Sequence, residues 1–283
     1  MKGVIFLNIL VTIDKNYLYP LTVLLKSIRV SNPNSYFDIY VAHSSLDESD
    51  FDRLRQCVDK TRMKIHSVPI RDSLFEGAPS IKRLNAAKAS YYRLLAIDFM
   101  PEGTDRVLYL DPDIVVINPL DRLYYMNMED NLIAAAGHTT VIVEFLNRKR
   151  LKLKKGSRYI NAGIILMNIE KMREEYTLHD IFQFIDNKKD KPFYLIQGDQ
   201  DVMNGMFTGR IKIIDERVFN LDEKTFKRFS KDIDLGWVRK NTMIIHYNGD
   251  NKPWKEDYKG VLQGFFEKAK NADCVPFPAT RVS

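Results

Sequence analysis

The chain has 283 residues, with 43 Lys and Arg against 37 Asp and Glu, for a net charge of +6. Its apolar and charged fractions are ordinary for a globular protein, and no apolar run approaches the ~20 residues that a membrane-spanning helix requires. Two cysteines far apart, Cys57 and Cys274, exclude a disulfide framework or a cysteine-rich metal site and fit a reducing compartment.

In chain order, the N-terminal stretch "GVIFLNILVTID" continues as a strand and lacks a small-residue cleavage site, so a cytoplasmic protein is expected. Strand-length apolar runs then recur as "FLNILVTID", "YFDIYVAHS", "MKIHSVPI" and "RVLYLD". The helical patterns "YLYPLTVLLKSIRVSN" and "DESDFDRLRQCVDK" separate the first three, the second opening with acids suited to a helix N-terminus. This alternation predicts an α/β fold with a parallel, doubly wound sheet and helices on both faces. Further on, "NLIAAAGH", "YINAGIILMNI", "GRIKIID" and "TMIIHYNG" read as strands, and "YTLHDIFQFIDNKK" and "DQDVMNGMF" as helices. With no repeat and no Pro/Gly-rich linker, one domain over 1–258 is expected, followed by a helix and tail over 259–283. The basic stretch "FLNRKRLKLKKGSR" reads as a solvated loop. Its alternative is a mobile lid or a membrane-surface patch, because Leu151 and Leu153 interleave with the charges. No nucleic-acid-binding motif is present, so nucleic acid is not an expected partner.

The stretch "VLYLDPDIVV" runs an apolar strand into Asp111, Pro112 and Asp113 and then resumes it. Two carboxylates so close repel each other, and Pro112 between them donates no backbone hydrogen bond, which suits a break in a sheet. A divalent cation held by hard oxygen ligands would relieve the repulsion. In a doubly wound sheet, ligands bind beyond the carboxyl ends of the strands, where Asp14 would join the pair. In "IIHYNGDNKPW", His246 ends an apolar strand, Gly249 allows close backbone approach and Lys252 suits a phosphate. One imidazole with two carboxylates favours manganese over magnesium or calcium. Asn161, Ala162 and Gly163 open another strand as either a tight turn or a sugar or phosphate contact. Asp199, Gln200 and Asp201 fit an acidic helix N-terminus or a functional cluster.

Together with "VTIDKNYLYPLTVLLKSI" and "YYRLLAI", these clusters resemble the retaining glycosyltransferases of family 8 from about residue 8 to about residue 258. The resemblance implies a GT-A nucleotide-diphospho-sugar transferase fold, a Rossmann-like mixed sheet flanked by helices, with a nucleotide half over about 1–120 and a sugar and acceptor half over about 121–258. It also implies a UDP-sugar donor, UDP-glucose or UDP-galactose, and a saccharide acceptor such as a lipopolysaccharide. The ion would be Mn2+, with Mg2+ as the alternative.

By the same resemblance the metal ligands are Asp111, Asp113 and His246, flanking Pro112, which replaces a more usual apolar residue. Thr12, Asp14, Asn16 and Tyr17 would meet the nucleotide, and Gly249 and Lys252 the diphosphate. Arg93, Asn161, Ala162, Gly163 and Asp199 would line the sugar pocket, with Gln200 beneath the anomeric carbon; Asp199 and Asp201 are candidates for a transient nucleophile, so retention follows either a front-face or a double-displacement route. Rival readings are a haloacid-dehalogenase-type phosphatase, which would place its nucleophilic Asp after the first strand, and a nucleotide-sugar-binding protein without turnover.

Overall fold

The computed structural model describes residues 5–71, 88–137, 141–189 and 194–272. Nine strands are found there: β1 Ile5–Ile13, β2 Ser35–His43, β3 Met63–Pro69, β4 Arg106–Leu110, β5 Ile114–Val116, β6 Ile133–Gly137, β7 Ile160–Asn168, β8 Ile211–Ile214 and β9 Ile244–His246. Seven form one sheet in the order β3-β2-β1-β4-β7-β6-β8, and β5 and β9 form a separate antiparallel pair. Strands β3, β2, β1 and β4 are parallel, as the alternating pattern predicts. Strand β7 then runs antiparallel to both β4 and β6, which makes the sheet mixed.

Side chains alternate across this sheet with period two. Leu7, Ile9 and Val11 of β1 pack on one face with Leu21, Leu24 and Ile28 of the helix Leu18–Ser31. Leu10 of β1, with Val107 and Tyr109 of β4, turns to the other face and packs with Tyr92 and Leu95. The first helix buries positions at i, i+3 and i+7 and places Pro20 in its first turn, where the missing amide costs no helical hydrogen bond. Helix Glu48–Gln56 starts on a reciprocal cap between Asp47 and Asp50.

The sheet order reverses at β1, with β2 and β3 built outward on one side and β4 on the other. Crevices at such reversals open at the carboxyl ends of the strands. Here the open end lies after Ile13 and Leu110.

The break expected at Pro112 is present: residues 112 and 113 form a turn that carries the chain out of the large sheet and into the β5–β9 pair. One expectation is corrected. The basic stretch is not a plain loop, since Val141–Leu151 is helical. Leu151 is 2% exposed within the core and Leu153 packs against that core, so the interleaved leucines point inward rather than to a membrane. Near the C-terminus, helix Gln263–Lys270 packs Phe266 with Val23 and Tyr247. Cys274 and the expected tail beyond residue 272 lie outside the described residues. Among the described residues, no helix is long and apolar enough to cross a membrane.

His43 closes β2 beside the open edge. Its Nδ1 accepts from the Leu46 amide at 3.1 Å, which leaves Nε2 to donate to Ser67 Oγ at 2.9 Å. The Nδ1 bond requires the neutral ring, and burial lowers the pKa while Asp50 partly opposes it. The folded form therefore binds fewer protons than the unfolded chain, so this contribution is present above the unfolded value of about 6.5 and is lost as pH falls below it. Urea melts between about pH 7 and pH 5 should lose part of their slope in His43→Asn, which keeps the acceptor and cannot ionise; an identical slope would show that His43 does not titrate with unfolding.

Candidate active site

The acidic turn, β9 and the start of β7 meet at the open edge. Ile114 pairs with His246 across β5 and β9, and the Tyr247 amide donates to the Asp113 carbonyl at 3.0 Å. The Asp111 amide donates to the Gly163 carbonyl at 2.8 Å. These backbone bonds bring Asp111, Asp113 and His246 together, with one ligand atom from each lying within 4.8 Å of the others. His246 Nε2 stands 3.3 Å from Asp113 and 3.8 Å from Asp111.

The imidazole is oriented from behind by Asn220, a residue with no distinguishing mark in the sequence. Asn220 Nδ2 donates to Asn161 Oδ1 at 2.9 Å, so its own oxygen faces His246 Nδ1 at 3.0 Å. Nδ1 therefore carries hydrogen, and Nε2 turns toward the carboxylates. Burial works against a charged His246, but Asp113 and then Asp111 outweigh it and raise its pKa. Burial likewise opposes ionisation of Asp113, and His246 and Lys252 overcome it, which holds the carboxylate well below its usual range.

Gly163, expected in the sugar pocket, lies directly beneath this cluster. A Cβ there would stand 2.3 Å from His246 Cε1 and 2.7 Å from Asp111 Oδ2, so only glycine lets both side chains rest on the strand.

Lys252 reaches back from the loop after β9 and donates to Asp113 and, at 3.0 Å, to the Tyr247 carbonyl. Its ammonium lies 5.7 Å from the Trp254 ring, and that ring meets Tyr17 edge-on. Burial, opposed by Lys252, raises the Tyr17 hydroxyl pKa. Gly249 is exposed at φ +90°, and a Cβ added there would meet no atom within 4 Å, so its glycine serves the backbone path of the loop. Asp14 accepts from the Asn16 amide at 2.8 Å and caps the short turn Lys15–Tyr17, leaving Asn16 exposed. Thr12 is tied to the acidic turn indirectly: its hydroxyl lies 3.0 Å from Tyr109 Oη, which donates to Asp111 at 2.6 Å. Tyr109, by sequence an ordinary core aromatic, is therefore part of the site.

Arg93 is buried at the centre. It pairs with Asp111 at 3.0 Å and Asp199 at 3.1 Å, donates to the Ala162 carbonyl and lies 4.2 Å over the Tyr109 ring. Burial alone would lower its pKa, and the two carboxylates raise it. Burial raises the pKa of Asp199 despite Arg93.

Gln200 follows on helix Asp199–Met206. Its Oε1 accepts from the Asn161 side chain at 3.2 Å and the Ala162 amide at 3.1 Å, while Nε2 donates to Tyr159 Oη at 3.0 Å. Tyr159 donates to Asp201 at 2.7 Å, and Arg150 grips that carboxylate with two nitrogens at 2.7 and 2.8 Å. One continuous network thus joins Asp111, Asp113, His246, Lys252, Arg93, Asp199, Asn161, Ala162 and Gln200. Pro112 supplies the turn, and Asp14, Asn16 and Gly249 make no side-chain contact to this network among the described residues.

The mixed sheet flanked by helices, with the acidic turn at its open edge, has the GT-A glycosyltransferase fold. A crystal structure of the galactosyltransferase LgtC, in complex with donor and acceptor sugar analogs, superposes with a TM-score of 0.75 at 24% identity, covering 93% of this chain and 95% of that one. Residues 8–258 match the model of glycosyl transferase family 8, and the chain belongs to that family. It is similar to a lipopolysaccharide 1,3-galactosyltransferase of Salmonella typhimurium, at 28% identity over 270 residues that cover 93% of this chain and 77% of the relative. A lipopolysaccharide 1,2-glucosyltransferase of Escherichia coli is 23% identical over 256 residues, covering 88% of this chain and 72% of the relative. The protein is accordingly a glycosyltransferase, and the phosphatase reading is set aside.

Gly163→Ala should displace both ligand side chains and lower divalent-ion affinity by about tenfold or more, and Asn220→Ala should lower it by about tenfold through loss of ring orientation. Titration calorimetry with Mn2+ checks both; wild-type affinity in Gly163→Ala would refute the cradle.

Proposed function

We propose that the protein transfers a hexosyl unit, glucose or galactose, from a UDP-linked donor to a saccharide acceptor such as a lipopolysaccharide, with a divalent ion and with retention of anomeric configuration. The observation that carries this reading is the Asp111, Asp113 and His246 cluster within 4.8 Å, with Lys252 against it. The donor set fits a divalent cation: two hard carboxylates and an imidazole whose Nε2 faces them favour Mn2+ over Mg2+. Bound there, the ion would supply Lewis-acid stabilisation of the departing diphosphate. The galactosyl and glucosyl activities named for the two relatives support the choice of sugar and acceptor.

The chain's own residues provide the rest. Lys252 is a buried ammonium suited to the negative charge that develops on the leaving diphosphate. Residues up to about 120 would hold the nucleotide through Thr12, Asp14, Asn16 and Tyr17, with Gly249 allowing close backbone approach to the diphosphate. Residues 121–258 would hold the sugar and acceptor. Arg93, Asn161, Ala162, Gly163 and Asp199 would shape the sugar pocket, with Gln200 against the reacting carbon.

An amide cannot take a proton at neutral pH, so Gln200 cannot serve as the base that an inverting enzyme needs. The attacking hydroxyl can instead lose its proton to the departing phosphate oxygen, which places the new bond on the face that the diphosphate leaves. The neighbouring carboxylates support this front-face route over a double displacement. Asp199 is paired with Arg93, and Asp201 is 0% exposed with Arg150, Tyr159 and the Gln197 amide on its oxygens.

Incubation with UDP-glucose or UDP-galactose and Mn2+ should release UDP, and chelator should abolish the release. Proton NMR of the fresh glycoside should show an α-linkage from the α-linked donor; a β-linkage would overturn the retaining reading. Gln200→Ala should lower kcat while UDP affinity stays close to wild type, because its contact is to the sugar.

A further inference from the structure

The helix Val141–Leu151 is fixed on one side and open on the other. Leu151 is buried in the core, and Arg150 is clamped by Asp201 and also donates to the Tyr194 carbonyl. Glu144 pairs with Arg158 at 3.3 Å. This anchoring leaves an outer arc in water, on which Val143, Phe145 and Leu146 are 44%, 64% and 57% exposed and Lys149 is exposed between them. At about 100° per residue Phe145, Lys149 and Leu146 fall within about 100° of one another and form one open face, and Val143 stands beside it beyond the clamped Arg150. The chain then continues into Lys152, Lys154 and Lys155, all exposed. Three large apolar side chains bordered by four lysines form an unusual surface for water alone.

We propose that this face docks the protein onto an anionic phospholipid bilayer. Charge complementarity selects this occupant. Phe145, Leu146 and Val143 would enter the headgroup and acyl boundary, while Lys149, Lys152, Lys154 and Lys155 meet lipid phosphates, the pattern by which interfacial helices bind charged membranes. A second copy of the chain would bring the same lysines together and repel. The placement also has a use: the segment leads into Tyr159 and Ile160 and so into Asn161 at the open edge, and Arg150 ties the helix to the residue beside Gln200. Docking here would hold the open edge at the bilayer surface, whichever sugar is transferred.

The test is co-sedimentation of the full chain with vesicles of phosphatidylcholine alone or of phosphatidylcholine mixed with phosphatidylglycerol. The wild type should sediment with the anionic vesicles, not with the neutral ones, and should dissociate as salt rises. Lys149→Gln with Lys152→Gln and Lys155→Gln should weaken anionic binding about a hundredfold, from the roughly fivefold that each charge contributes near such a surface. Phe145→Ser with Leu146→Ser should weaken it at least about tenfold. Absence of anionic binding, or binding unchanged in the lysine variant, which removes no packed side chain, overturns the proposal. So does a wild-type dimer in light scattering that the serine variant splits, since that would assign the face to a second copy.

Discussion

Four carboxylates crowd the open edge of the central sheet: Asp111, Asp113, Asp199 and Asp201, three of them buried. Two like charges ~4 Å apart cost about 4 kcal/mol at the effective dielectric of a protein surface, so the group cannot stand without cations. Arg93 bridges Asp111 and Asp199, Lys252 answers Asp113, and Arg150 answers Asp201. Three permanent cations thus face four carboxylates, and the remaining negative charge lies beside the one titratable imidazole, His246. A divalent ion in that place would change the cluster from net negative to net positive, the sign that an anionic diphosphate requires. Removing a buried partner from such a pair typically costs about 3–5 kcal/mol, by order of magnitude about half of a protein's whole stability, so the cations hold the edge together as well as preparing it for a ligand.

The fold makes this crowding attainable through a change of sheet. A single continuous sheet would carry the chain past Asp111 along one ladder. Instead Pro112 donates nothing, the chain turns, and Asp113 leads into a strand that, among the described residues, pairs only with β9. Because β9 ends in His246 opposite Ile114, the imidazole arrives at the acidic turn by register rather than by loop flexibility. Gly163 completes the arrangement by allowing β7 to pass under Asp111 and His246 without a side chain.

Strands β1 to β4 are legible in the sequence because period-two apolar runs separated by helical patterns admit few alternatives. The acidic pair, His246 and Lys252 stand out because their residue types are unusual where they stand, whereas Gln200 is singled out only by the family resemblance. What escapes is decided by long-range contact. Tyr109 looks like any core aromatic, yet its hydroxyl joins Thr12 to Asp111 across two strands. Asn220 follows a short helix and has no local signature, although it orients His246. Trp254 is plain within its loop, but its place beside Tyr17 and Lys252 depends on how the loop folds back. The basic stretch reads as a loop because its charges mask a helical repeat: only when Leu151 and Arg150 find partners in the core and on Asp201 does the helix become preferable.

The same charge accounting explains why an amide occupies position 200. Its neighbours on both sides are carboxylates, and a third in succession would add repulsion beside Arg93 and Arg150, which are already paired with Asp199 and Asp201. An amide avoids that charge and also uses both ends: the nitrogen donates to Tyr159, and the oxygen receives the Ala162 amide and the Asn161 side chain. Tyr159 can accept that bond only because its own hydrogen is committed to Asp201, and Asp201 is held in place because Arg150 grips both oxygens. The orientation of Gln200 is thus set by a chain of three side chains ending in a buried ion pair. In the proposed reaction, positive charge grows on the sugar as the diphosphate departs, and a fixed carbonyl dipole can stabilise it without becoming a nucleophile or a base. The preorganisation resides in the partners, and the amide needs no rearrangement of charge when the bond breaks.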